Sequence, residues 1–299
     1  MDAPSPGTRP FFKYTSPQAA LSILSTQTVR YSSLLTFNDP FDVQSGLHFD
    51  FDIDRLPSKI IDALNEVAAS VDLPSVDQTD VWGQLVLKLR EMYPTHGFPK
   101  ERWAREATEL FAGLAAKIKE TQQGYQQHWR ELLPNVRVFC VSEERDNLLM
   151  WAHYAQDHRG AVFEFWSLPE EDNPLSVARR IQYSAKPPPF FSERDFLDHI
   201  LSVRKLDFSS LYRRYVYCKS DHWIYEKEWR VWYPLAESNG LHDTMPIRPS
   251  EFRALYLGCQ ISPDEKDTIL ALVRTHFPST RTYQATKSAG AYELVYTVV

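Results

Sequence analysis

Residues 223–233 read WIYEKEWRVWY, a stretch dense in aromatic and β-branched residues that is followed by Pro234. Such a stretch favours a strand. Side chains alternate between the two faces of a strand, so Glu226, Glu228 and Arg230 are predicted to share one face. Two carboxylates and a guanidinium in an apolar strand are costly to bury unless they are paired or used. The stretch therefore predicts either a structural Glu–Arg pair or an active-site carboxylate held by a second carboxylate and an arginine.

The composition is that of an ordinary globular protein. The chain has 299 residues, of which 43% are hydrophobic and 24% are charged, which suits one large domain or two small ones. No run approaches about 18 consecutive apolar residues, so we expect no membrane span. The first residues lack a basic region and an apolar core, so we expect no signal peptide. Three cysteines that lie far apart argue against disulfides and make a cytoplasmic location the expectation.

Charge and motifs exclude several functional classes. The formal net charge of −6 gives no broad basic footprint for nucleic acid. The chain lacks the phosphate-binding loop of nucleotide hydrolases, the GxSxG turn of serine hydrolases, the HExxH zinc motif and the GxGxxG dinucleotide fingerprint. With ten glycines, a glycine-rich phosphate cradle is not expected. No spacing of potential ligands requires a metal ion.

The order of predicted elements indicates an α+β protein. Helical periodicity dominates residues 60–69, 81–92 and 101–133, which we interpret as a helical insertion at about 56–133 within a single domain spanning 1–299. The strands before and after it do not strictly alternate with helices. We therefore predict mixed, mostly antiparallel sheets.

Three further segments carry candidate site residues. Residues 12–15 read FKYT, a predicted strand with one lysine. Residues 37–42 read FNDPFD, a turn in which Asp39 and Asp42 would bind a metal, a ribose or only local backbone N–H groups. Residues 150–155 read MWAHYA on a predicted short helix, where His153 would be an acid or base, a phosphate contact or a core histidine.

Taken in order, these segments resemble a known family. The set is FKY, FNDPFD, MWAHYA with a following HRG, and WIYEKEWR. Together they resemble the Domain of Unknown Function 2971 family of microbial proteins over about residues 11–258. The combination is specific, although each piece alone is not. The family carries no assigned chemistry.

A more remote resemblance concerns the layout of the elements. A strand with a polar residue, a helix, a second strand with an aromatic residue and serine, and a late Glu-x-Glu strand are similar to the ADP-ribosyltransferases. This resemblance implies an ADP-ribosyltransferase-like core and NAD as the substrate. The polar slot of the first strand falls on Lys13 or Tyr14, with Lys13 in place of the usual His or Arg. The slot of the second strand falls on Tyr31 or Ser32.

The slot of the late strand falls on Glu228, with Glu226 as the upstream partner. Cleavage of the nicotinamide–ribose bond develops positive charge on the ribose, as in glycoside chemistry. Glu228 would stabilise that charge and accept the ribose 2′-hydroxyl, and Glu226 would activate an acceptor. Tyr31 would stack on nicotinamide. Lys13 and Arg230 would contact phosphates, unless Arg230 only holds Glu228.

The implied function is an ADP-ribosyltransferase-like enzyme, as a toxin or a defence effector, with a protein, nucleic acid or small molecule as acceptor. Two alternatives stay open. The first is a non-catalytic binding or sensor protein in which Glu226, Glu228 and Arg230 form a structural network. The second is a metal-dependent nuclease or phosphoesterase whose hard-cation ligands would be Asp39, Asp42, His153, Glu226 and Glu228.

Overall fold

A computed structural model describes residues 8–70, 76–234 and 240–299. Two compact units emerge from it. The first comprises Met1–Gln44, Leu132–Lys186 and Tyr217–Val299, and the second comprises Ser45–Glu131 and Pro187–Val216. The helices of the chain are α1 (Pro17–Thr26), α2 (Leu56–Ala69), α3 (Val81–His96), α4 (Lys100–Leu132), α5 (Leu148–Tyr154), α6 (Glu193–Ile200), α7 (Phe208–Val216) and α8 (Pro263–His276).

The first unit is built on a mixed, mostly antiparallel sheet. The strands are β1 (Arg9–Thr15), β2 (Thr28–Ser33), β3 (Val136–Ser142), β4 (Ala161–Ser167), β5 (Arg179–Arg180), β6 (Gln182–Ser184), β7 (Cys218–Ser220), β8 (Glu228–Pro234), β9 (His242–Pro246), β10 (Phe252–Leu257), β11 (Arg281–Lys287) and β12 (Leu294–Val298). The main sheet runs β12-β11-β10-β4-β1-β3-β2-β9, with β8 on β3 and β5 on β8, while β6 and β7 pair separately. The predicted α+β class is confirmed.

The main sheet buries both of its faces. Alternate residues of β1 and β4, such as Phe11 and Phe163, join a large cluster with apolar residues of α1 and α8. The intervening residues, such as Phe12, Tyr14 and Val162, pack with α5 in a second cluster. This alternation follows from the two-residue period of a strand. It fixes α5, the helix of the MWAHYA segment, against the first strand.

The second unit is helical in the ranges where periodicity predicted helices. Helices α2, α3 and α4 match the three predicted segments. The unit also takes in residues 187–216, which contribute the fully buried Phe190 and Phe191 to its aromatic core. In that core Trp129 stacks on Tyr212 with ring centroids 5.5 Å apart. Among the described residues, every helix of the chain is too short or too polar to cross a lipid bilayer.

One edge of β3 is shared by two strands. Strand β8 occupies the other edge over the full length of β3. On the shared edge, β1 pairs only at Phe12 with Ser142, and β2 pairs only near Val138. Between these contacts the Lys13 ammonium donates to the Cys140 carbonyl at 2.8 Å. A buried carbonyl without a strand partner needs another donor, and Lys13 supplies it.

Residues 223–227 do not form the predicted strand. A 3₁₀ helix spans Asp221–Glu226, and Lys227 ends it in the left-handed region with φ of 44°. Strand β8 begins only at Glu228. The alternation argument therefore holds for the last two charged residues of the stretch and is wrong for the first.

Side chains from other elements stabilise this 3₁₀ helix. The Ser142 hydroxyl donates to the carbonyl of Glu226 at 2.7 Å, and the Asn147 amide donates to the carbonyl of Tyr225 at 2.8 Å. These bonds satisfy backbone groups that a strand ladder would otherwise pair, so they override the local strand propensity. Glu226 nevertheless lies close to Glu228. The carboxyl groups of both residues bind the ammonium of Lys219.

We predict that Gly160→Ala destabilises the first unit. A Cβ at Gly160, just before β4, would overlap the Thr15 carbonyl of β1. Because two backbone segments would have to separate, we expect the free energy of unfolding to fall by about 1–3 kcal/mol or more. Urea denaturation measures this difference. The control is Gly290→Ala, where no atom lies within 4 Å of the added Cβ. Equal stability of the two variants would contradict the prediction.

Candidate functional site

A cavity of about 420 Å³ lies in the gap beside the shared edge of β3. Its volume falls within the range of small-molecule sites. The polar and ionisable residues that line it come from three separate parts of the chain: Lys13, Tyr14, Arg30, Ser32, Thr36, Asn38, Cys140, Ser142, His153, Tyr154, Lys219, Glu226, Glu228 and Arg230. Strands β1, β2, β3, β7 and β8, helix α5 and the 3₁₀ helix before β8 thus meet at one place.

A fully buried arginine bridges two carboxylates at the floor of this cavity. Arg230 Nε donates to Glu228 Oε1 at 2.7 Å. Its two terminal nitrogens donate to Asp42 at 3.2 and 2.5 Å. Asp42 is 2% exposed and Glu228 is 6% exposed. The two carboxylates therefore offset much of the cost of burying the guanidinium.

A buried lysine joins the same network. Lys219 Nζ donates to Glu226 at 2.6 Å and to Glu228 at 3.2 Å, and it lies 3.7 Å from Asp42. Lys219 also lies over the ring of Trp223, with 4.9 Å to the centroid. We call Asp42, Lys219, Glu226, Glu228 and Arg230 the ion cluster. Its three carboxyl groups outnumber its two cations, so one carboxyl group is less well compensated than the others.

The two glutamates of the ion cluster differ in their affinity for a proton. Burial raises the pKa of Glu226, and the neighbouring Lys219 only partly offsets this. Burial also acts on Glu228, but the charges of Arg230 and Lys219 outweigh it and hold the pKa of Glu228 well below its ordinary value. Glu228 is therefore a fixed anion, whereas Glu226 is the group that gains a proton more readily.

Helix α5 adds a phenol and an imidazole to the cavity. The Tyr154 hydroxyl donates to Glu226 Oε1 at 2.5 Å. His153 Nδ1 and the Tyr225 hydroxyl lie 2.9 Å apart, and the His153 side chain is exposed. The Asn147 side chain caps α5 by accepting from the N–H groups of its first turn. The cap and the contact of α5 with β1 fix both side chains at the cavity.

Most of the predicted site residues come together. Those that line the cavity are Lys13, Tyr14, Ser32, His153, Glu226, Glu228 and Arg230. The phenol of Tyr14, however, donates to the carbonyl of Glu144 at 2.8 Å and packs edge-on against Trp151. Lys13 rather than Tyr14 therefore offers a polar group from the first strand.

Two predicted residues lie elsewhere. Tyr31 is buried in the core, stacks on Phe139 at 5.1 Å and lines a separate small cavity, so its ring is not placed to stack on a ligand here. Tyr31 and Ser32 are neighbours on β2, and only one of two neighbours can face the cavity. Asp39 accepts from the Phe41 N–H at 2.9 Å and the Trp223 indole at 2.7 Å, which is a structural role.

The sequence did not reveal Lys219, and it suggested Asp42 as a partner of a metal, a ribose or local backbone N–H groups rather than of an arginine. Lys219 lies in a short polar segment with no periodic pattern, so nothing in its surroundings indicates burial. Among the described residues, no group of three His, Cys, Asp or Glu side chains is arranged to hold a metal ion. The Lys219 ammonium lies between the carboxylates that such an ion would need.

We predict that Glu228→Gln lowers the free energy of unfolding by about 3–5 kcal/mol at pH 7, because Arg230 and Lys219 each lose an anionic partner inside the ion cluster. The pKa of Glu228 is lower in the folded state than its ordinary value of about 4.5. Its stabilising contribution is therefore present above about pH 4.5 and is lost as the pH falls further.

Urea denaturation of wild type and Glu228→Gln at pH 7 and near pH 4 tests this expectation. The difference between the two proteins should shrink on acidification, and circular dichroism controls for folding at both pH values. A difference that stays constant with pH would contradict it.

One known family matches the segment that carries the acidic side of the cavity. Residues 150–231 match the model of a family described as "Protein of unknown function (DUF2971)". The match contains α5 from Met150 onward, together with Lys219, Glu226, Glu228 and Arg230. No curated protein and no solved structure matches the chain. The predicted resemblance to this family is confirmed for this segment.

Proposed function

We propose that the cavity binds NAD and that the protein cleaves the nicotinamide–ribose bond, transferring ADP-ribose to an acceptor. The observation that supports this most directly is the convergence of the residues that the remote resemblance implied. Lys13 and Ser32 stand on β1 and β2, Glu228 stands on β8 almost two hundred residues later, and all three line one cavity.

The charges around the cavity are divided in a way that suits this substrate. On β1 and β2, Lys13 and Arg30 have no carboxylate within 4.0 Å among the described residues. On β8 and the helix before it, Glu226 and Glu228 carry the negative charge. A ligand with phosphates at one end and a developing cation at the other would complement both sides.

The reaction would use Glu228 as a fixed electrostatic group. When the bond between ribose C1′ and the nicotinamide nitrogen breaks, the electron pair leaves with nicotinamide, which becomes neutral, and the ribose gains positive charge. Arg230 and Lys219 hold Glu228 in one position as an anion, so little reorganisation is needed when that charge appears. The acceptor then forms a bond to C1′ and loses its proton.

The acceptor in this proposal is a protein, a nucleic acid or a small molecule. With sparse cysteines and an acidic overall charge, we propose a cytoplasmic toxin or defence effector. A nucleic acid as the acceptor would require positive charge close to the cavity. Lys13 and Arg30, which line the cavity, supply this charge locally.

A non-catalytic binding or sensor protein is the second candidate. The observation that favours it is the engagement of both Glu228 oxygens, one by Arg230 and the other by Arg230 and Lys219. A carboxylate so well paired can serve the fold alone. In that case the cavity would bind a ligand without turnover.

We predict that wild-type protein releases nicotinamide from NAD and that Glu228→Gln reduces the rate at least about 100-fold, because a neutral amide stabilises developing positive charge poorly. Chromatography of released nicotinamide measures the rate, and calorimetry measures NAD binding. The matched control is Glu164→Gln, since Glu164 accepts hydrogen bonds from Trp166 and Tyr256 outside the cavity.

The outcomes separate the two candidates. Loss of release in Glu228→Gln with wild-type activity in Glu164→Gln would support the transferase. Binding of NAD without release in the wild type would favour the sensor. If the wild type neither binds NAD nor releases nicotinamide at millimolar NAD, the proposal is overturned.

A further inference from the structure

We infer that Tyr154 is a further catalytic residue of the reaction proposed above: its hydroxyl takes the proton of the acceptor while passing its own proton to Glu226. The inference rests on the proposed function and adds a role for the MWAHYA segment, in which the sequence pointed only to His153. It concerns the step in which the acceptor attacks the ribose, and the acceptor can be water.

The hydrogen bonds around Tyr154 are oriented for such a transfer. Its hydroxyl donates to Glu226 Oε1 at 2.5 Å, and the Asn38 side chain lines the same cavity. Asn38 belongs to the FNDPFD segment and Glu226 to the WIYEKEWR segment. Residues of these three motif segments thus line one cavity.

Burial decides which group meets the acceptor first. Glu226 is 3% exposed, and its second oxygen is bound by Lys219 at 2.6 Å. The Tyr154 side chain is only half-buried and lines the same cavity. An acceptor in the cavity therefore reaches the phenol more easily than the carboxylate behind it. His153, by contrast, is hydrogen-bonded to Tyr225.

The charges around Glu226 suit a group that takes up and returns a proton. The ionisable groups that face it from the surrounding elements are Lys13, Asp42, Cys140, Tyr154, Tyr183, Lys219, Tyr225, Glu228 and Arg230. Burial raises the pKa of Glu226, while that of Glu228 is held low. When the pKa values of two neighbouring carboxyl groups are shifted in opposite directions, one commonly acts as a fixed anion and the other as the base.

The proton balance is simple. The bond from C1′ to nicotinamide breaks, and the bond from C1′ to the acceptor forms. The acceptor proton moves to the Tyr154 oxygen, and the Tyr154 proton moves to Glu226 Oε1. Glu226 loses that proton to solvent before the next turnover. No oxidant or further reactant takes part.

Tyr154→Phe tests the inference, with Tyr256→Phe as the matched control. Tyr256 also donates to a glutamate, Glu164, at 2.6 Å, but it is buried and lies outside the cavity. We expect Tyr154→Phe to lower the rate of nicotinamide release about 100-fold while the Kd for NAD changes less than about twofold. The acidic limb of the pH–rate profile should flatten in Tyr154→Phe and persist in Tyr256→Phe.

The double variant Tyr154→Phe/Glu226→Gln gives a second measurement. If the two side chains act as one unit, the double variant loses about as much activity as either single variant. Fully additive losses would overturn the inference. A wild-type rate and pH profile in Tyr154→Phe would also overturn the inference. The proposed function would stand in that case. Absence of nicotinamide release in the wild type would overturn both.

Discussion

The first unit depends on one buried cation, the guanidinium of Arg230. It lies in β8 with no exposure to solvent, and a charge in that position is tolerable only with carboxylates on its nitrogens. Glu228, on the same strand, is one of them, and Asp42 comes from the chain segment after β2. The pairing therefore couples the formation of β8 to the placement of a segment almost two hundred residues earlier.

The ion cluster also explains why the cavity is where it is. Lys219 binds one oxygen of Glu226 and shares Glu228 Oε2 with Arg230, which leaves the remaining oxygen of Glu226 to Tyr154. Strands β1 and β2 stop short of covering β3 at the same level. The polar floor and the open sheet edge coincide, so a ligand would find charge and space together.

Much of this arrangement could be predicted from the sequence. The features that could not be predicted have physical causes. Alternation identified Glu228 and Arg230, and helical periodicity identified the helices of the second unit. The path of Glu226 was not predictable, because hydrogen bonds from Ser142 and Asn147 replace the strand that its neighbours favour. The partnership with Lys219 was not predictable either, since it depends on a contact between separate elements. Tyr31 and Ser32 show the remaining ambiguity: only the strand register decides which of two neighbours faces the cavity.

The Lys13 ammonium has a consequence for binding that its position alone does not suggest. Without a ligand it satisfies the carbonyl of Cys140 at the edge of β3. A phosphate that drew this ammonium away would leave a peptide oxygen to be solvated by water or by the ligand itself. Occupancy of the cavity and integrity of the sheet edge are then linked equilibria, and each must weaken the other by the same free energy. A ligand that also donated to the Cys140 oxygen would escape this competition, so the edge of the sheet would favour hydroxyl-bearing phosphates over bare ones.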